Sequence, residues 1–165
     1  WLQLYYFGFW QCCKLFDMPI CIFRSPFSNV LIEEINGRIK KIQFTKKNLL
    51  FTKNPILKKA KKQILEYLSQ KRTQFTLKVE PDGTDFQKKV WGKILLISYG
   101  KTKSYSDIAK KIKNSPRAVG NACGANPCLL VIPCHRVIRK SGNLGGFSSF
   151  GGIVQKDLLL SLETS

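Results

Sequence analysis

Val30-Leu31-Ile32-Glu33-Glu34-Ile35-Asn36-Gly37-Arg38-Ile39-Lys40-Lys41-Ile42-Gln43-Phe44 is the stretch on which the fold turns. Two apolar, β-branched runs, Val30 to Ile35 and Arg38 to Phe44, flank Asn36-Gly37, a dipeptide that readily takes the positive backbone angles of a two-residue hairpin turn. An antiparallel β-hairpin is expected. Downstream, Asn54 can cap and Pro55 can open a helix in which Leu57, Ala60, Ile64, Tyr67 and Leu68 recur at helical spacing, with Lys58, Lys59, Lys61 and Lys62 on the wet side. Phe75, Leu77 and Val79 then alternate with Thr76 and Lys78, and a third strand built from them would complete the sheet.

Pro81-Asp82-Gly83 interrupts this pattern and reads as a linker. Beyond it, Thr84 and Gln87 form a capping box for a helix carrying Phe86, Val90, Ile94 and Ile97, which Tyr99-Gly100 is expected to end. Ser104 with Asp107 caps a second helix bearing Ile108 and Ile112, and Ser115-Pro116 supplies the cap and first residue of a third. Two short helices joined by a tight turn suggest a helix-turn-helix. The third helix is built from Ala118, Gly120, Ala122 and Gly124, which weakens it but lets its backbone approach a ligand or a neighbouring helix closely. Residues 141–152 form a Gly/Ser-rich loop, and Val154 to Leu162 read as a terminal helix with Leu158, Leu159 and Leu162 buried. The expected class is α+β: an N-terminal lobe over 18–80 and a helical C-terminal lobe over 81–165. Met18 is the sole methionine, which allows residues 1–17 to be an extension ahead of the folded protein.

A content of 44% hydrophobic and 23% charged residues sets disorder aside. Lys and Arg outnumber Asp and Glu by 28 to 10, and a net charge of +18 on 165 residues points to a polyanion, nucleic acid first. A generally Lys-rich composition is the alternative source of that charge. The six cysteines show no disulfide framework spacing and no Cys-x-x-Cys pair, and His135 is the only histidine, so neither a structural metal nor a cofactor is expected. The aromatic run over residues 1–16 has no basic leading segment and is too short to span a bilayer, so the expected location is the cytoplasm, with no membrane partner.

Pro133-Cys134-His135-Arg136-Val137 sets a thiol, an imidazole and a guanidinium side by side. A free thiol has a pKa of about 8.5, and positive charge or a basic partner raises the fraction of nucleophilic thiolate. Leu129 to Ile132 reads as a strand leading into this segment, and adjacent strand residues face opposite ways, so His135 would need a water or a turn to reach Cys134. Alone, a Cys-His pair is a weak signal, more often a buried small residue beside a solvated one.

The surroundings carry more. Gly83-Thr84-Asp85-Phe86-Gln87, Val90-Trp91, Tyr99-Gly100-Lys101-Thr102, Ser104-Tyr105, Ile108-Ala109, Arg117-Ala118-Val119-Gly120, Asn126-Pro127, Pro133 to Val137 and Lys156 to Glu163 follow one another in order. In that order they resemble the O6-alkylguanine-DNA alkyltransferases, the methylated-DNA-protein-cysteine methyltransferases. Ser25-Pro26, Leu65-x-Tyr67-Leu68, Arg72 and Phe75 agree more loosely in the N-terminal lobe.

The resemblance implies a ribonuclease H-like N-terminal lobe, a winged helix-turn-helix-like C-terminal motif, and one-time transfer of an alkyl group from O6-alkylguanine, and from O4-alkylthymine, in duplex DNA to Cys134. It implies that His135 and Glu163 relay the thiol proton through water. Tyr105 would serve the departing guanine, and Asn126 would tie the helix-turn-helix to the acceptor segment. DNA contacts fall to Arg117, Ala118, Gly120, Ser104, Lys103 and Arg136, with the small-residue helix in the minor groove and Arg117 filling the space of the flipped nucleotide. Val137, Phe147, Ser148 and Cys123 would line the base pocket of a monomeric protein. Phe147 stands where many relatives have Tyr, Cys123 replaces a larger apolar residue, and the stretch from Tyr105 to Arg117 is slightly short. A non-catalytic binder of alkylated DNA and a helix-turn-helix regulator are the alternatives, and a cysteine hydrolase would need His135 directly on Cys134.

Overall fold

The computed structural model describes residues 19–164, so the expectations about residues 1–17 and Met18 lie outside the described residues. Within it, the sheet consists of β1 (Ile20–Arg24), β2 (Asn29–Ile35) and β3 (Arg38–Thr45), antiparallel in the order β1-β2-β3. Asn36 and Gly37 turn the β2–β3 hairpin with φ of 52° and 82°, positive angles that asparagine tolerates and that glycine, lacking a Cβ, takes freely. Glu34 accepts from the Gly37 N–H and from Asn54 Nδ2, which ties the turn to the cap of α1 (Pro55–Leu68). Asn54 Oδ1 in turn accepts from Ile56 and Leu57, so the cap residue is held from both ends.

The third strand is not the one the alternation predicts. It is β1, an apolar run, while Phe75 to Val79 forms only one isolated parallel bridge, Val79 to Ile39. The alternation there is real, with Phe75, Leu77 and Val79 half-buried and their neighbours exposed, but it marks extended backbone lying along an edge rather than a laddered strand. A second segment closes the rest of that edge: Ile42 N–H donates to Pro127 O at 2.8 Å and Leu129 N–H to Ile42 O at 2.9 Å. The chain approaching Cys134 is thus clipped to the central hairpin.

The helical part follows its caps. α2 (Asp85–Ile94) starts at the Thr84–Gln87 box, α3 (Tyr105–Ile112) at the Ser104–Asp107 box, and α4 (Pro116–Gly124) at Ser115. α2 stops at Ile94, before Tyr99-Gly100, because residues 95–98 pass into a turn. Gly83 has no room for a Cβ, which would sit 2.5 Å from the Trp91 ring, and Trp91 Nε1 donates to Ala122 O at 2.8 Å, locking α2 to α4. Between α3 and α4, Lys113 takes a left-handed φ of 54°, and Asn114 N–H returns to Ala109 O. A short parallel pair joins β4 (Lys103–Ser104) to β5 (Val137–Ile138).

The closing helix is α5 (Gly152–Thr164). Its buried face is Gln155, Lys156, Leu159 and Glu163, whereas Leu158 is exposed, so the apolar reading of that helix is corrected: two of its inward side chains are charged. One continuous apolar core runs from the sheet through α1, α2, α3 and α4 to Leu159. No helix among the described residues is long and apolar enough to cross a membrane.

Candidate active site around Cys134

Leu129 to Ile132 is not a strand. Leu130 has φ of 69°, the segment turns, and Cys134–Arg136 forms a single 3-10 turn capped by Pro133. Asn126 holds this shape: its Nδ2 donates to Ile132 O at 2.8 Å and lies 3.3 Å from Cys134 Sγ, and its Oδ1 accepts from Cys128 N–H at 3.0 Å. Its own N–H donates to Cys123 O at the end of α4. Asn126, through its backbone and its side chain together, therefore staples the small-residue helix to the thiol segment.

Cys134, 4% exposed, lies on the wall of a cleft of about 670 Å³. Cys123, Phe147 and Ser148, named for the base pocket, also line the cleft, together with Tyr105 and with Arg117 and Gly120, which were named for DNA contact. Ser148 Oγ donates to Gly124 O at 2.6 Å and pins the 145–148 loop to α4. Gly145, with φ of 72°, packs so close to Tyr105 that a Cβ would lie 3.0 Å from its ring. Arg139 and Lys140 line the cleft too, and sequence reasoning missed both.

Other expectations fall elsewhere. Val137 is fully buried and does not line the cleft; its carbonyl accepts from Lys156. Ser104 Oγ caps α3, and Lys103 is exposed on β4 beside Asp107 and Lys111 rather than at the cleft. Ala118 is half-buried on α4. Arg136, expected on DNA, is instead buried. Its guanidinium donates to both Glu163 oxygens at 2.9–3.1 Å and to Ile97 O at 2.6 Å, which leaves it no path to a phosphate.

His135, 1% exposed, places Nε2 2.8 Å from Glu163 Oε1 and 3.2 Å from Tyr67 Oη. Burial opposes the Glu163 charge, but hydrogen bonds from His135 and Arg136 outweigh it and hold the carboxyl well below the usual range. An ionised carboxylate only accepts, so Nε2 carries the proton and the lone pair is on Nδ1. Burial lowers the His135 pKa, keeping the imidazole neutral and able to take a proton. Burial also raises the Cys134 pKa, against the Asn126 hydrogen bond and the charge of Lys156, so the resting sulfur is a thiol that a base must activate.

Lys156 is fully buried, with Nζ donating to Val137 O at 2.6 Å and Leu144 O at 2.5 Å and lying 3.4 Å from Tyr105 Oη. Burial pushes the Tyr105 phenol up to about 12, so it stands protonated in the cleft. The role of Lys156 was missed by the sequence reading, although Lys156, Leu159 and Glu163 recur on one helical face, the only hint that charge points inward. Among the described residues no cluster of three His, Cys, Asp or Glu side chains could hold a metal.

A family model for the 6-O-methylguanine DNA methyltransferase, DNA binding domain, matches residues 85–165. The inducible methylated-DNA–protein-cysteine methyltransferase of Bacillus subtilis is 55% identical over 104 residues, which span 61% of this chain and 56% of that protein. The methylated-DNA–protein-cysteine methyltransferase of Methanosarcina acetivorans is 36% identical over 157 residues, covering 90% of this chain and 99% of the relative. The crystal structure of the Mycobacterium tuberculosis O6-methylguanine methyltransferase matches with a TM-score of 0.78 at 34% identity, over 88% of this chain and 92% of that one. The Mycobacterium tuberculosis OGT in complex with DNA gives 0.77 at 35%, over 87% and 91%. The Methanosarcina match runs over nearly the whole of both chains and takes in the buried Cys-His-Arg turn: the chain belongs to the family of methylated-DNA–protein-cysteine methyltransferases.

Proposed function

We propose that this chain repairs O6-alkylguanine, and O4-alkylthymine, in duplex DNA by moving the alkyl group once to Cys134. The observation that carries this reading is the placement of the Cys134 thiol, next in sequence to the buried imidazole of His135, on the wall of a cleft that the small-residue helix α4 also lines. An alkyl carbon on O6 lies within the base stack, so the nucleotide must be rotated out to reach a recessed sulfur. Gly120 and Ala118 allow α4 to approach a minor groove, and Arg117 at the cleft rim would take the vacated space. In this reading α3 and α4 act as a helix-turn-helix with β4–β5 as a short wing, and the segment before Pro81 forms a ribonuclease H-like lobe.

The chemistry is a displacement at carbon. The thiol proton passes to Nδ1 of His135 through water, the sulfur pair attacks the alkyl carbon, and the C–O6 bond breaks with its pair on oxygen. Tyr105 donates to the departing guanine, which leaves neutral once the thiol proton is returned to it. The thioether is a poor leaving group, so each chain reacts once. No cofactor takes part. Free thiols at Cys21, Cys123, Cys128 and Cys134 fit a protein working in a reducing compartment such as the cytoplasm.

Intact mass after incubation with a duplex containing O6-methylguanine tests this. One methylene should be gained per chain, on the peptide holding Cys134, with no turnover beyond equimolar. Methyl on Cys123 or Cys128, or repeated turnover, would overturn the reading.

A further inference from the structure

Glu163 has more partners than a two-residue relay requires. Its Oε1 accepts from Tyr67 Oη, from His135 Nε2 at 2.8 Å and from Arg136 Nη2 at 2.9 Å, while Oε2 accepts from Arg136 Nε and from Gly100 N–H at 3.0 Å. Tyr67 is the only one of these that comes from α1, outside the matched segment 85–165. Its side chain is fully buried, held edge-on by Tyr99 with ring centroids 6.0 Å apart and tilted against Phe75 at 5.2 Å. The ring is thus fixed before the hydroxyl makes any bond, and that hydroxyl reaches both members of the His135–Glu163 pair.

We infer that Tyr67 is a positioning residue for alkyl transfer: its hydroxyl donates to Glu163 and stands 3.2 Å from His135 Nε2 as a second acceptor for the N–H that Glu163 accepts, so that it reinforces Nδ1 as the basic nitrogen. The inference rests on the alkyl-transfer reading above. Because the phenol is a pure donor toward the ionised carboxylate, its remaining lone pair can only be an acceptor, and it meets an N–H. The opposite tautomer would set a lone pair on Nε2 against both the carboxylate and that lone pair. The phenol also takes up part of the Glu163 charge, leaving less of it to favour imidazolium. The charged and titratable groups around the imidazole are Glu163 and Lys156 from α5, Arg136 and Cys134 from its own turn, and Tyr67 from α1, with Tyr99 behind Arg136. An imidazole kept neutral with its lone pair on Nδ1 is what accepting a thiol proton demands.

Tyr67→Phe keeps the ring and removes the hydroxyl. Transfer from an O6-alkylguanine free base, and from duplex, should slow about tenfold at neutral pH, the usual scale of a lost hydrogen bond to a charged group. The acid limb of the pH–rate profile should move to higher pH, because Glu163 without its donor directs more charge at His135. His135 is the sole histidine, so its imidazole titration is read directly by NMR and should move the same way. An unchanged rate and titration, or a slower rate with an unmoved titration, would overturn the inference. Should the variant not fold, uniform 3-fluorotyrosine strengthens the phenol donor in the native chain and should move the His135 titration down; no movement would overturn the inference. If the unsubstituted protein does not transfer, the alkyl-transfer reading fails instead, while the His135 titration still decides whether Tyr67 governs the imidazole.

Discussion

Two buried cations stand close to Cys134, and the fold treats them in opposite ways. Arg136 faces a carboxylate: Glu163 binds it through both oxygens and is itself held ionised by His135 and Arg136 against the effect of burial. Among the described residues Lys156 faces no carboxylate, only the carbonyls of Val137 and Leu144 and the Tyr105 hydroxyl, and burial lowers its pKa while the two thiols Cys134 and Cys123 oppose that shift. The first arrangement is structural, a charge neutralised in place, and sets the imidazole beside it. The second leaves a buried cation with neutral partners only, for which a Cys134 thiolate formed in the proposed reaction would be the counter-charge. Charge made permanent builds the site, and charge left incomplete waits for the chemistry.

Glu163→Gln should break this contrast most severely. It leaves the Arg136 guanidinium buried without a counter-charge, and such a loss costs about 3–5 kcal/mol. At roughly 2–4 °C per kcal/mol, thermal unfolding should show a drop of many degrees. The acid side provides a second readout. The Glu163 pKa is depressed in the folded state, so its stabilisation is complete above the unfolded carboxyl value of about 4.3 and is lost as pH falls below it. That loss should be smaller in the Gln variant. A melting temperature within the error of the parent's would show that the Arg136–Glu163 pair is not a structural one.

Methylation of Cys134 comes next. The sulfur is buried between Asn126 and the 3-10 turn, and added volume in a packed interior costs about 1–3 kcal/mol. The methylated protein, free of DNA and in the same buffer, should melt several degrees lower and be cut first near Asn126. An equal or higher melting temperature would mean that the cleft accommodates the new methyl without displacing its walls.

Lys156→Met should have the smallest effect on stability. Two carbonyls lose a donor, but a cation is no longer desolvated, and the balance should stay within about 1 kcal/mol at neutral pH. Because the folded-state pKa of Lys156 is depressed, the parent's stability should rise with pH between that value and the unfolded value of about 10.4, and the Met variant should lack this rise. Transfer should nonetheless slow, since Tyr105 and the 137–144 segment lose their common anchor. A Met variant destabilised as much as Glu163→Gln would erase the distinction between the two cations.

Local chemistry made much of the fold legible. Asn54, Thr84, Ser104 and Ser115 all cap the helices expected of them, and Asn36-Gly37 turns the hairpin. Pairing was less legible. Phe75 to Val79 has the alternation of a strand without its partners, while β1 shows three consecutive buried residues and no alternation at all. Periodicity reports which side chains face in, not which backbone lies alongside. The family motifs picked out Cys134, Asn126, Tyr105 and Arg117, which the fold brings to one cleft or its wall, but Arg136 looked like a DNA contact because no local signal says a guanidinium will find a carboxylate 27 residues on. Tyr67 reads as core by spacing, and its hydroxyl gains significance only when α1 meets α5.

The single histidine has one more consequence. No other side-chain type in the sequence ordinarily titrates in the midrange, and this one is buried, so between about pH 5 and pH 7 the charge the surface shows to a partner hardly changes. Finding DNA and reacting with it are thereby governed by separate variables. In the proposed function, counterions would set how tightly the chain holds a phosphate backbone, and protons, through one imidazole shielded from solvent, would set how fast the sulfur acts once it is there.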